Sequence, residues 1–397
     1  MKMSIQLPKD IVFIMKRLKS RGFRADIVGG SVRDFLLGKV PNDYDLTTDA
    51  TPEEMRDAFS DVRTIDTGIK HGTLTVLIEK NQYEITTYRF DGEYSDNRHP
   101  DKVTFTRSLR EDLARRDFTV NAMCYNDTEG FTDLFDGMGD LENRIIRAVG
   151  EPEKRFTEDA LRIIRALRFA ATLDFEIEED TAKAIRKTAP LLSKVSSERI
   201  FTEWSKLISG VGAYRIIKEY KDIIETFMPE LKVINLPREK EFRESDAQIR
   251  ELSLFALNSG MRAKKDYLTA MTGLKSDNKR KNFGALVLEN LSEKTDTDTA
   301  LKLLLIKAGR EVALEVLKLK IMLGYSHKNE CNRLNELLGE GVCYRISDLK
   351  INGNDLAERG IHGKEIGETL SKLLVLTAEG KVKNRKEELL AEVAKNR

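Results

Sequence analysis

The pattern of apolar and polar positions is most informative over residues 27–46. Two apolar residues that end a short strand are followed by the glycine pair Gly29 and Gly30, and then by a helical run over 31–37. A glycine and a proline stop that helix, and residues 43–46 have the pattern of a second strand. The stretch therefore predicts a strand–helix–strand unit with a glycine turn at its first corner.

Regular patterns continue on both sides of this unit. Helical spacing over 8–21, a capped helix start at Thr51 and two strand patterns, 73–78 and 83–88, predict a small mixed α/β head. From Gly150 onward the chain has almost only helical patterns, so we place the end of the head there. At 397 residues the chain is too long for one ordinary core.

Two aspartates on the second predicted strand are the first candidates for chemistry. Strand side chains alternate, so Asp43 and Asp45 would point to one face with Cα atoms roughly 6–7 Å apart. Two such carboxylates repel each other unless a cation lies between them, and Mg²⁺ prefers carboxylate oxygens together with substrate phosphates. The pair predicts a magnesium site for phosphoryl transfer, and an acidic surface turn is the alternative. Glu84 is either a third carboxylate of this site or a solvent-facing strand residue.

Basic residues beside the glycine turn indicate an anion. Gly30 lets the backbone approach a ligand, and Arg33 lies where a cation does not suit the helix dipole, so a bound phosphate would explain it. Further along, Arg115 and Arg116 precede an aspartate and an asparagine, and this set could hold a triphosphate and a ribose hydroxyl. A surface salt-bridge cluster is the alternative for the second group.

One predicted helix, over 155–173 with Thr157 as its N-cap, is apolar around most of its circumference. Its charged residues recur every three positions and wind along it as a stripe: Asp159, Arg162, Arg165 and Arg168. Arginines without carboxylate partners on such a helix need an anion or a polar cleft, so we expect the stripe to face a ligand. Ion pairing with the head is the alternative.

The first two charges of the stripe fit the edges of particular bases. The Asp159 carboxylate accepts hydrogen bonds, and the Arg162 guanidinium only donates them. Cytosine and adenine offer an amino donor beside a ring-nitrogen acceptor, whereas uracil and guanine offer an acceptor beside a ring N–H. The pair would accept C and A and leave unpaired groups against U and G, which are heavily penalised.

Composition narrows the class of protein. Charged residues make up 34% of the chain and the net charge is only +1, so a nucleic-acid surface must come from local clustering, for example over 262–281. That cluster could also be a solvated face. Three separated cysteines form neither a disulfide framework nor a zinc set. Without an apolar stretch of about 18 residues or a signal peptide, we expect a cytoplasmic protein that does not bind membranes.

Four motifs follow one another in the order of a known family. They are VGGSVRDFLLG…NDYDL, KHGT, RRDFTVNA and RFTEDALRIIRALRF, and over residues 20–210 they resemble the class II tRNA nucleotidyltransferases. These are the CCA-adding enzymes, which are related to bacterial poly(A) polymerases.

The resemblance implies an α+β fold with a polymerase-β-like nucleotidyltransferase head, a mixed sheet with helices, over residues 1–149. All-helical parts would follow: a neck with the nucleotide-selecting helix over 150–210, a body over 211–333 and an RNA-binding tail over 334–397. The resemblance further implies that CCA is added to the tRNA 3′ end from CTP and ATP without a nucleic-acid template, with release of pyrophosphate.

The motifs also imply roles for single residues. Asp43 and Asp45 would bind the catalytic Mg²⁺. The incoming nucleotide, its base or its phosphates would be contacted by Gly30, Arg33, Arg116, Asp159, Arg162, Arg165 and Arg168. The loop over 91–101 resembles the family's flexible loop, which is associated with the final A addition, so it argues against an enzyme that adds only CC.

Three alternatives remain at this stage. An A-adding enzyme or a poly(A) polymerase of the same family would carry the same motifs. An antibiotic-type nucleotidyltransferase is disfavoured by the long helical remainder of the chain. A non-catalytic RNA-binding protein is disfavoured by the intact Asp-x-Asp pair.

Overall fold

The structure, a computed structural model, describes residues 6–41, 43–92, 103–231 and 234–395. The chain divides into two compact units, Met1–Phe227 and Met228–Arg397. The finer predicted division into head, neck, body and tail stays a prediction. Most of the predicted loop over 91–101 lies outside the described residues.

The first unit contains the β-structure. Its strands are β1 (Ala25–Val28), β2 (Asp45–Thr48), β3 (Thr64–Ile65), β4 (Thr73–Ile78), β5 (Asn81–Thr87), β6 (Arg89–Asp91), β7 (Val103–Phe105), β8 (Met123–Asn126), β9 (Gly130–Asp133), β10 (Ile145–Ile146) and β11 (Glu176–Ile177). Among the described residues, seven strands form one sheet in the order β3-β4-β5-β2-β1-β8-β9. The central strand β2 is antiparallel to β1 and parallel to β5. Strands β6 and β7 form a separate hairpin.

Helices cover this sheet and then continue the unit. They are α1 (Lys9–Ser20), α2 (Gly30–Leu36), α3 (Pro52–Ala58), α4 (Leu109–Ala114), α5 (Gly137–Glu142), α6 (Pro152–Glu158), α7 (Leu161–Leu173), α8 (Glu179–Thr188), α9 (Ser197–Ser209), α10 (Ala213–Glu219) and α11 (Lys221–Phe227). The apolar face of α1, with Ile11, Ile14 and Leu18, is buried in the core of the sheet. The capping box predicted at Thr51 and Glu54 is present at the start of α3.

The second unit is helical throughout its described residues. Its helices are α12 (Glu239–Glu244), α13 (Ala247–Ser259), α14 (Ala263–Gly273), α15 (Asn278–Glu289), α16 (Asp298–Leu323), α17 (Lys328–Gly339), α18 (Gly353–Ala357), α19 (Lys364–Ala378) and α20 (Lys386–Lys395). Helix α16 is kinked at Gly309. Within the described ranges, no helix has both the length and the apolar character that crossing a membrane requires. A mixed sheet followed by helices confirms the predicted α+β class.

Candidate active site

Asp45 is the first residue of β2 and lies at the end of the sheet next to the glycine turn at Gly29 and Gly30. In the antiparallel pairing of β1 with β2, Asp45 lies opposite Val28, the last residue of β1. In the parallel pairing of β2 with β5, Leu46 is paired with Ile85, so Glu84 occupies the neighbouring register position on the other side of Asp45. Two acids and the glycine turn therefore share one edge of the sheet.

The second strand is shorter than the sequence predicts. It begins at Asp45, and Asp43 precedes it as an exposed residue. The reason lies in Gly29, which turns the chain away from the sheet with φ +76° and ψ −130°, so β1 offers no partner beyond Val28. The expectation that both aspartates lie on one strand was wrong.

The charges of Asp43 and Glu84 still affect the ionisation of Asp45. Desolvation and the charge of Asp43 raise the pKa of Asp45, Glu84 adds to the effect, and Arg116 opposes it. All three acidic residues are exposed, so a cation can reach them. In the part of the chain that the structure describes, no three carboxylate, imidazole or thiol groups are arranged to hold a metal ion. Oxygens of a substrate or of water would have to complete the coordination of an ion here.

The guanidinium group of Arg116 lies close to the glycine turn. A β-carbon built on Gly29 would come within 3.3 Å of Nη1 of Arg116. With φ at +76°, Gly29 also has a backbone conformation that other residues rarely adopt. At Gly30 a β-carbon would meet Nη2 of Arg33 at 3.5 Å, an ordinary contact. The turn therefore favours glycine at 29, and the missing side chain leaves room for the close approach of Arg116.

Arg33, which follows the turn on α2, is buried among partners of its own. Its Nη1 donates to Oδ1 of Asn121 at 2.6 Å, and its Nε and Nη2 donate to Oδ1 of Asp34 at 2.9 and 2.7 Å. Nδ2 of Asn121 in turn donates to Oδ1 of Asp117 at 3.1 Å. A bound phosphate is thus not needed to account for Arg33.

The helix predicted over 155–173 is broken in the structure. Helix α6 ends at Glu158 and α7 begins at Leu161, and Asp159 lies between them with φ −134° and ψ 102°. Oδ1 of Asp159 accepts the backbone N–H of Leu161 at 3.1 Å, so this carboxylate satisfies the first N–H of the second helix, whose N-cap position is Ala160. Thr157 lies inside the last turn of α6 and is not the N-cap that we expected.

Arg165 and Arg168 have carboxylate partners, contrary to the expectation of an unpaired stripe. Nε of Arg165 donates to Oδ2 of Asp117 at 2.9 Å, and Nε of Arg168 donates to Oε2 of Glu203 at 2.8 Å. Burial opposes the ionisation of Asp117, yet Arg165 and Asn121 outweigh it and lower the pKa of Asp117 to about 2. These partners lie 48 and 35 residues away along the chain, beyond the reach of helical spacing.

Asp159 and Arg162 are also held by neighbours. Nη2 of Arg199 donates to Oδ2 of Asp159 at 3.1 Å. Nη1 of Arg162 donates to Oε2 of Glu158 at 3.0 Å, and its Nη2 donates to the carbonyl of Arg115 at 2.8 Å. The last bond brings the start of α7 against the residue next to Arg116. Of the two predicted base-reading residues, Arg162 therefore contacts the arginine pair of the head.

Sequence reasoning missed three charged residues around this site. Glu203 and Arg199 come from α9, and nothing local marks them as partners of α7. Asp112 stands three and four residues before Arg115 and Arg116 on α4, the spacing at which helical ion pairs form. That signal was present in the sequence.

Family models match three parts of the chain. Residues 25–147 match the poly(A) polymerase head domain, 174–234 a probable RNA- and SrmB-binding site of polymerase A, and 244–393 a putative tRNA nucleotidyltransferase domain 2. The CCA-adding enzyme of Enterococcus faecalis is 38% identical over 403 residues, which cover 98% of this chain and 96% of that relative. The chain belongs to the CCA-adding enzymes. It is therefore a nucleotidyltransferase of tRNA processing, as the motifs predicted.

Further CCA-adding enzymes extend the comparison. That of Streptococcus suis is 53% identical over 224 residues, or 55% of this chain and 54% of the relative. The crystal structure of the Bacillus stearothermophilus CCA-adding enzyme in complex with CTP has a TM-score of 0.80 at 32% identity, covering 97% of this chain and 96% of that one. The Thermotoga maritima enzyme complexed with tRNA, at 20% identity, 0.70 TM-score and coverage of 100% and 97%, shares the fold. None of these relatives favours an A-adding enzyme or a poly(A) polymerase.

Proposed function

We propose that this CCA-adding enzyme adds C, C and A to the 3′ end of tRNA from CTP and ATP, without a nucleic-acid template and with release of pyrophosphate. The observation that carries the proposal is the sheet edge where Asp45 lies opposite Val28, with Arg116 close to the adjoining glycine turn. Acidic and basic groups on two sides of one turn suit a cation bound to a triphosphate. The solved relatives that hold CTP and tRNA support the same substrates.

Asp43 and Asp45 would hold Mg²⁺ in this site. Bound there, such ions favour ionisation of the tRNA 3′-hydroxyl and neutralise charge that develops on the triphosphate. The donors fit, because they are exposed carboxylates, and desolvation together with the charge of Asp43 raises the pKa of Asp45, so a cation bound there would be favoured. Mg²⁺ commonly takes one or two carboxylates and leaves its other positions to phosphates and water. Glu84, beside Asp45 in the sheet, is a third candidate for this group.

The triphosphate would lie against the turn. Gly30 and Arg116 would contact it directly, and Arg33 would support it from α2. Arg165 and Arg168 are occupied by Asp117 and Glu203, so they would set the shape of the pocket and act on the phosphates through their charge.

Asp159 and Arg162 would select the base. An ionised carboxylate has about four acceptor sites, so Asp159 can hold Leu161 and Arg199 and still accept the amino group of C or A. Arg162 is anchored to Glu158 and to the carbonyl of Arg115, which would fix its remaining N–H groups toward the base. A pre-oriented pair discriminates better than a mobile one, because no ordering cost falls on binding.

The basic neighbourhood over 262–281 would contact tRNA in part. Lys265 and Lys279 are exposed, whereas Lys264 pairs with Glu289 at 2.8 Å and Arg280 with a buried glutamate of α13. The paired residues suit a folding role, and the exposed lysines suit contact with phosphates. We propose that the tail over 334–397 likewise contacts tRNA in part. The free thiols of Cys124, Cys331 and Cys343 are compatible with work in the cytoplasm.

Product sequencing tests the function directly. Three tRNA transcripts, ending before CCA, after C and after CC, are incubated with CTP alone, with ATP alone and with all four nucleotides. We expect CC from CTP alone on the first transcript, a single A from ATP on the last, and CCA from the full mixture. Runs of A on the first transcript would indicate a poly(A) polymerase, and no incorporation at all would overturn the proposal.

A further inference from the structure

Asp112 is a fully buried carboxylate, with 0% exposure, that no role described above uses. It lies on α4, just before the arginine pair. Nε and Nη2 of Arg115 donate to its Oδ1 at 3.0 and 2.7 Å, and Nη2 of Arg116 donates to its Oδ2 at 3.3 Å. One carboxylate thus anchors both arginines.

Two further contacts join Asp112 to strands that border the site. The backbone N–H of Arg89, the first residue of β6, donates to its Oδ1 at 3.4 Å, and Oγ1 of Thr47 on β2 lies 3.3 Å from its Oδ2. The single hydroxyl hydrogen of Thr47 is shared between this carboxylate and the carbonyl of Thr86, which lies at 3.1 Å. Thr47 comes two residues after Asp45, on the same face of the strand. Asp112 therefore connects the arginine pair with the acidic strand and with the base of the β6–β7 hairpin.

The charge of Asp112 suits this connection. Burial opposes its ionisation, yet Arg115 and Arg116 outweigh it and hold the pKa of the Asp112 carboxyl below its ordinary value. Its two ionised oxygens offer about four acceptor sites, enough for the two donors of Arg115, the one of Arg116 and the backbone N–H of Arg89. An asparagine at the same place would have a single acceptor oxygen and would direct an N–H₂ group at donors.

Arg116 relies on this anchor. Within the described residues, the bond to Asp112 is the only hydrogen bond of the Arg116 side chain, and its buried Nε has no partner. Its Nη1 lies at the turn, within 3.3 Å of where a β-carbon on Gly29 would be. The guanidinium group is therefore held from one side and offers unused donors on the others.

We propose that Asp112 is a positioning residue for the incoming nucleotide, holding the Arg116 guanidinium at the Gly29 turn in fixed register with the strand of Asp45. The inference rests on the proposed function, in which Arg116 contacts the triphosphate. It adds that the affinity for that triphosphate depends on a carboxylate that never touches it.

A double-mutant cycle with a matched control tests the proposal. The full-length variants are Asp112→Asn, Arg116→Ala, the double variant and, as the control, Asp26→Asn. Asp26 is equally buried and also bound by an arginine, but its hydrogen bonds in the described part of the chain go to Arg24, Tyr88 and Asn126. The Kd for CTP with Mg²⁺, KM and kcat for CTP and ATP, and the Tm are measured for each.

We expect Asp112→Asn to raise the Kd and KM for both nucleotides about tenfold and to change kcat less than twofold. In the Arg116→Ala background the same substitution should add less than twofold, because the residue through which it acts is gone. Asp26→Asn should lower the Tm by a similar amount and leave Kd and KM within twofold.

Two results would overturn the inference. One is a Kd of Asp112→Asn that moves no more than that of the control, and the other is a full additional loss in the Arg116→Ala background. A wild-type enzyme that binds CTP but transfers neither nucleotide would instead contradict the proposed function, and the Kd values would still decide the role of Asp112. A wild-type enzyme that does not bind CTP would contradict both.

Discussion

Charge is balanced differently in two regions of the first unit. One is the acidic edge of the sheet, formed by Asp43, Asp45 and Glu84, and the other is the arginine stripe of α7. At the edge, Asp43, Asp45 and Glu84 are exposed, and desolvation of Asp45 together with the charges of Asp43 and Glu84 raises the pKa of Asp45. On α7, Arg165 and Arg168 are held by carboxylates from other elements. The arginines of the stripe are paired within the described part of the protein, whereas at the edge the charge of Arg116 offsets the raised pKa of Asp45 only in part. In the proposed function a bound cation would supply the remaining counter-charge.

In the proposed function, this difference would separate recognition of the base from phosphoryl transfer. Groups that are paired in the free protein are already oriented, and orientation is what recognition of a base edge requires. Groups that repel each other favour the arrival of a cation, and charge neutralisation is what phosphoryl transfer requires. Substitutions in the two regions should therefore differ in kind, with activity lost at the edge and selectivity or stability lost along the stripe.

The largest effect is expected at the acidic edge. Asp45→Asn and Asp43→Asn should each lower transfer of C and A roughly a thousandfold or more, because several kcal/mol of metal-dependent stabilisation of the transition state are removed. The Tm of Asp45→Asn should be no lower than that of the wild type, since a repelling charge is lost. Single-turnover rates and thermal unfolding measure both quantities.

Asp57→Asn is the matched control for this prediction, because Asp57 is an exposed aspartate of α3 in the same unit. Its rate and Tm should stay within error of the wild type. Transfer at normal rates by either edge variant would remove the metal assignment, and a large drop in Tm would mean that the edge is balanced internally, like the stripe.

The second effect concerns base choice at the start of the stripe. Asp159→Ala and Arg162→Ala should reduce discrimination against U and G by about a hundredfold, since an unmatched buried polar group costs about 1–3 kcal/mol. The measurement is the ratio of kcat/KM for CTP and UTP on a tRNA that lacks CCA.

Arg215→Ala provides the comparison for base choice. Arg215 on α10 pairs with Asp174 and Glu176, so its loss removes an ion pair of the same unit that is not part of the proposed site. Its selectivity should equal that of the wild type. If Asp159→Ala and Arg162→Ala kept the wild-type ratio as well, the proposed template role of the pair would have to be abandoned.

Features that depend on interactions between neighbouring residues were predicted from the sequence, and features that depend on distant residues were not. The turn at Gly29, the capping box at Thr51 and the α+β class depend on neighbouring residues, and local patterns predicted them. The partners of Arg165 and Arg168 lie 48 and 35 residues away, so helical spacing could only suggest that the arginines were unpaired. The break at Asp159 was missed for the same reason, because Arg199, which helps to hold that carboxylate, lies 40 residues away.

The third prediction concerns the stability of the stripe. The pKa of Asp117 falls from an ordinary 3.8 to about 2 on folding, so its ionised form should stabilise the protein by about 2 kcal/mol at pH 7. Because this pKa is lowered, the contribution is complete above 3.8 and is lost as the pH falls toward 2. Asp117→Asn should therefore lose about 2 kcal/mol of unfolding free energy at both pH 7 and pH 5, measured by urea denaturation.

Asp222→Asn is the control for the loss of unfolding free energy expected of Asp117→Asn. Asp222 is an exposed residue that pairs with Arg186 at 4.0 Å, and surface pairs of this kind contribute little. Its substitution should change the unfolding free energy by less than about 0.5 kcal/mol. A loss at Asp117 no larger than this would show that the stripe is not stabilised by its internal pairing.

The smallest effect is a pH dependence of opposite sign at the acidic edge. Since the pKa of Asp45 is raised on folding, ionised Asp45 destabilises the protein at pH 7, and this destabilisation disappears as the pH falls through the raised value toward 3.8. Asp45→Asn should therefore exceed the wild type in unfolding free energy at pH 7 by less than about 1 kcal/mol, because solvent screens an exposed charge, and the gap should shrink at pH 4. Adding Mg²⁺ and CTP at pH 7 should reverse the order, since only the wild type has the full set of acids with which to bind the ion. Two results would contradict the contrast between the acidic edge and the stripe. One is a difference in unfolding free energy between Asp45→Asn and the wild type that grows toward pH 4. The other is an order of the two proteins that Mg²⁺ and CTP leave unchanged.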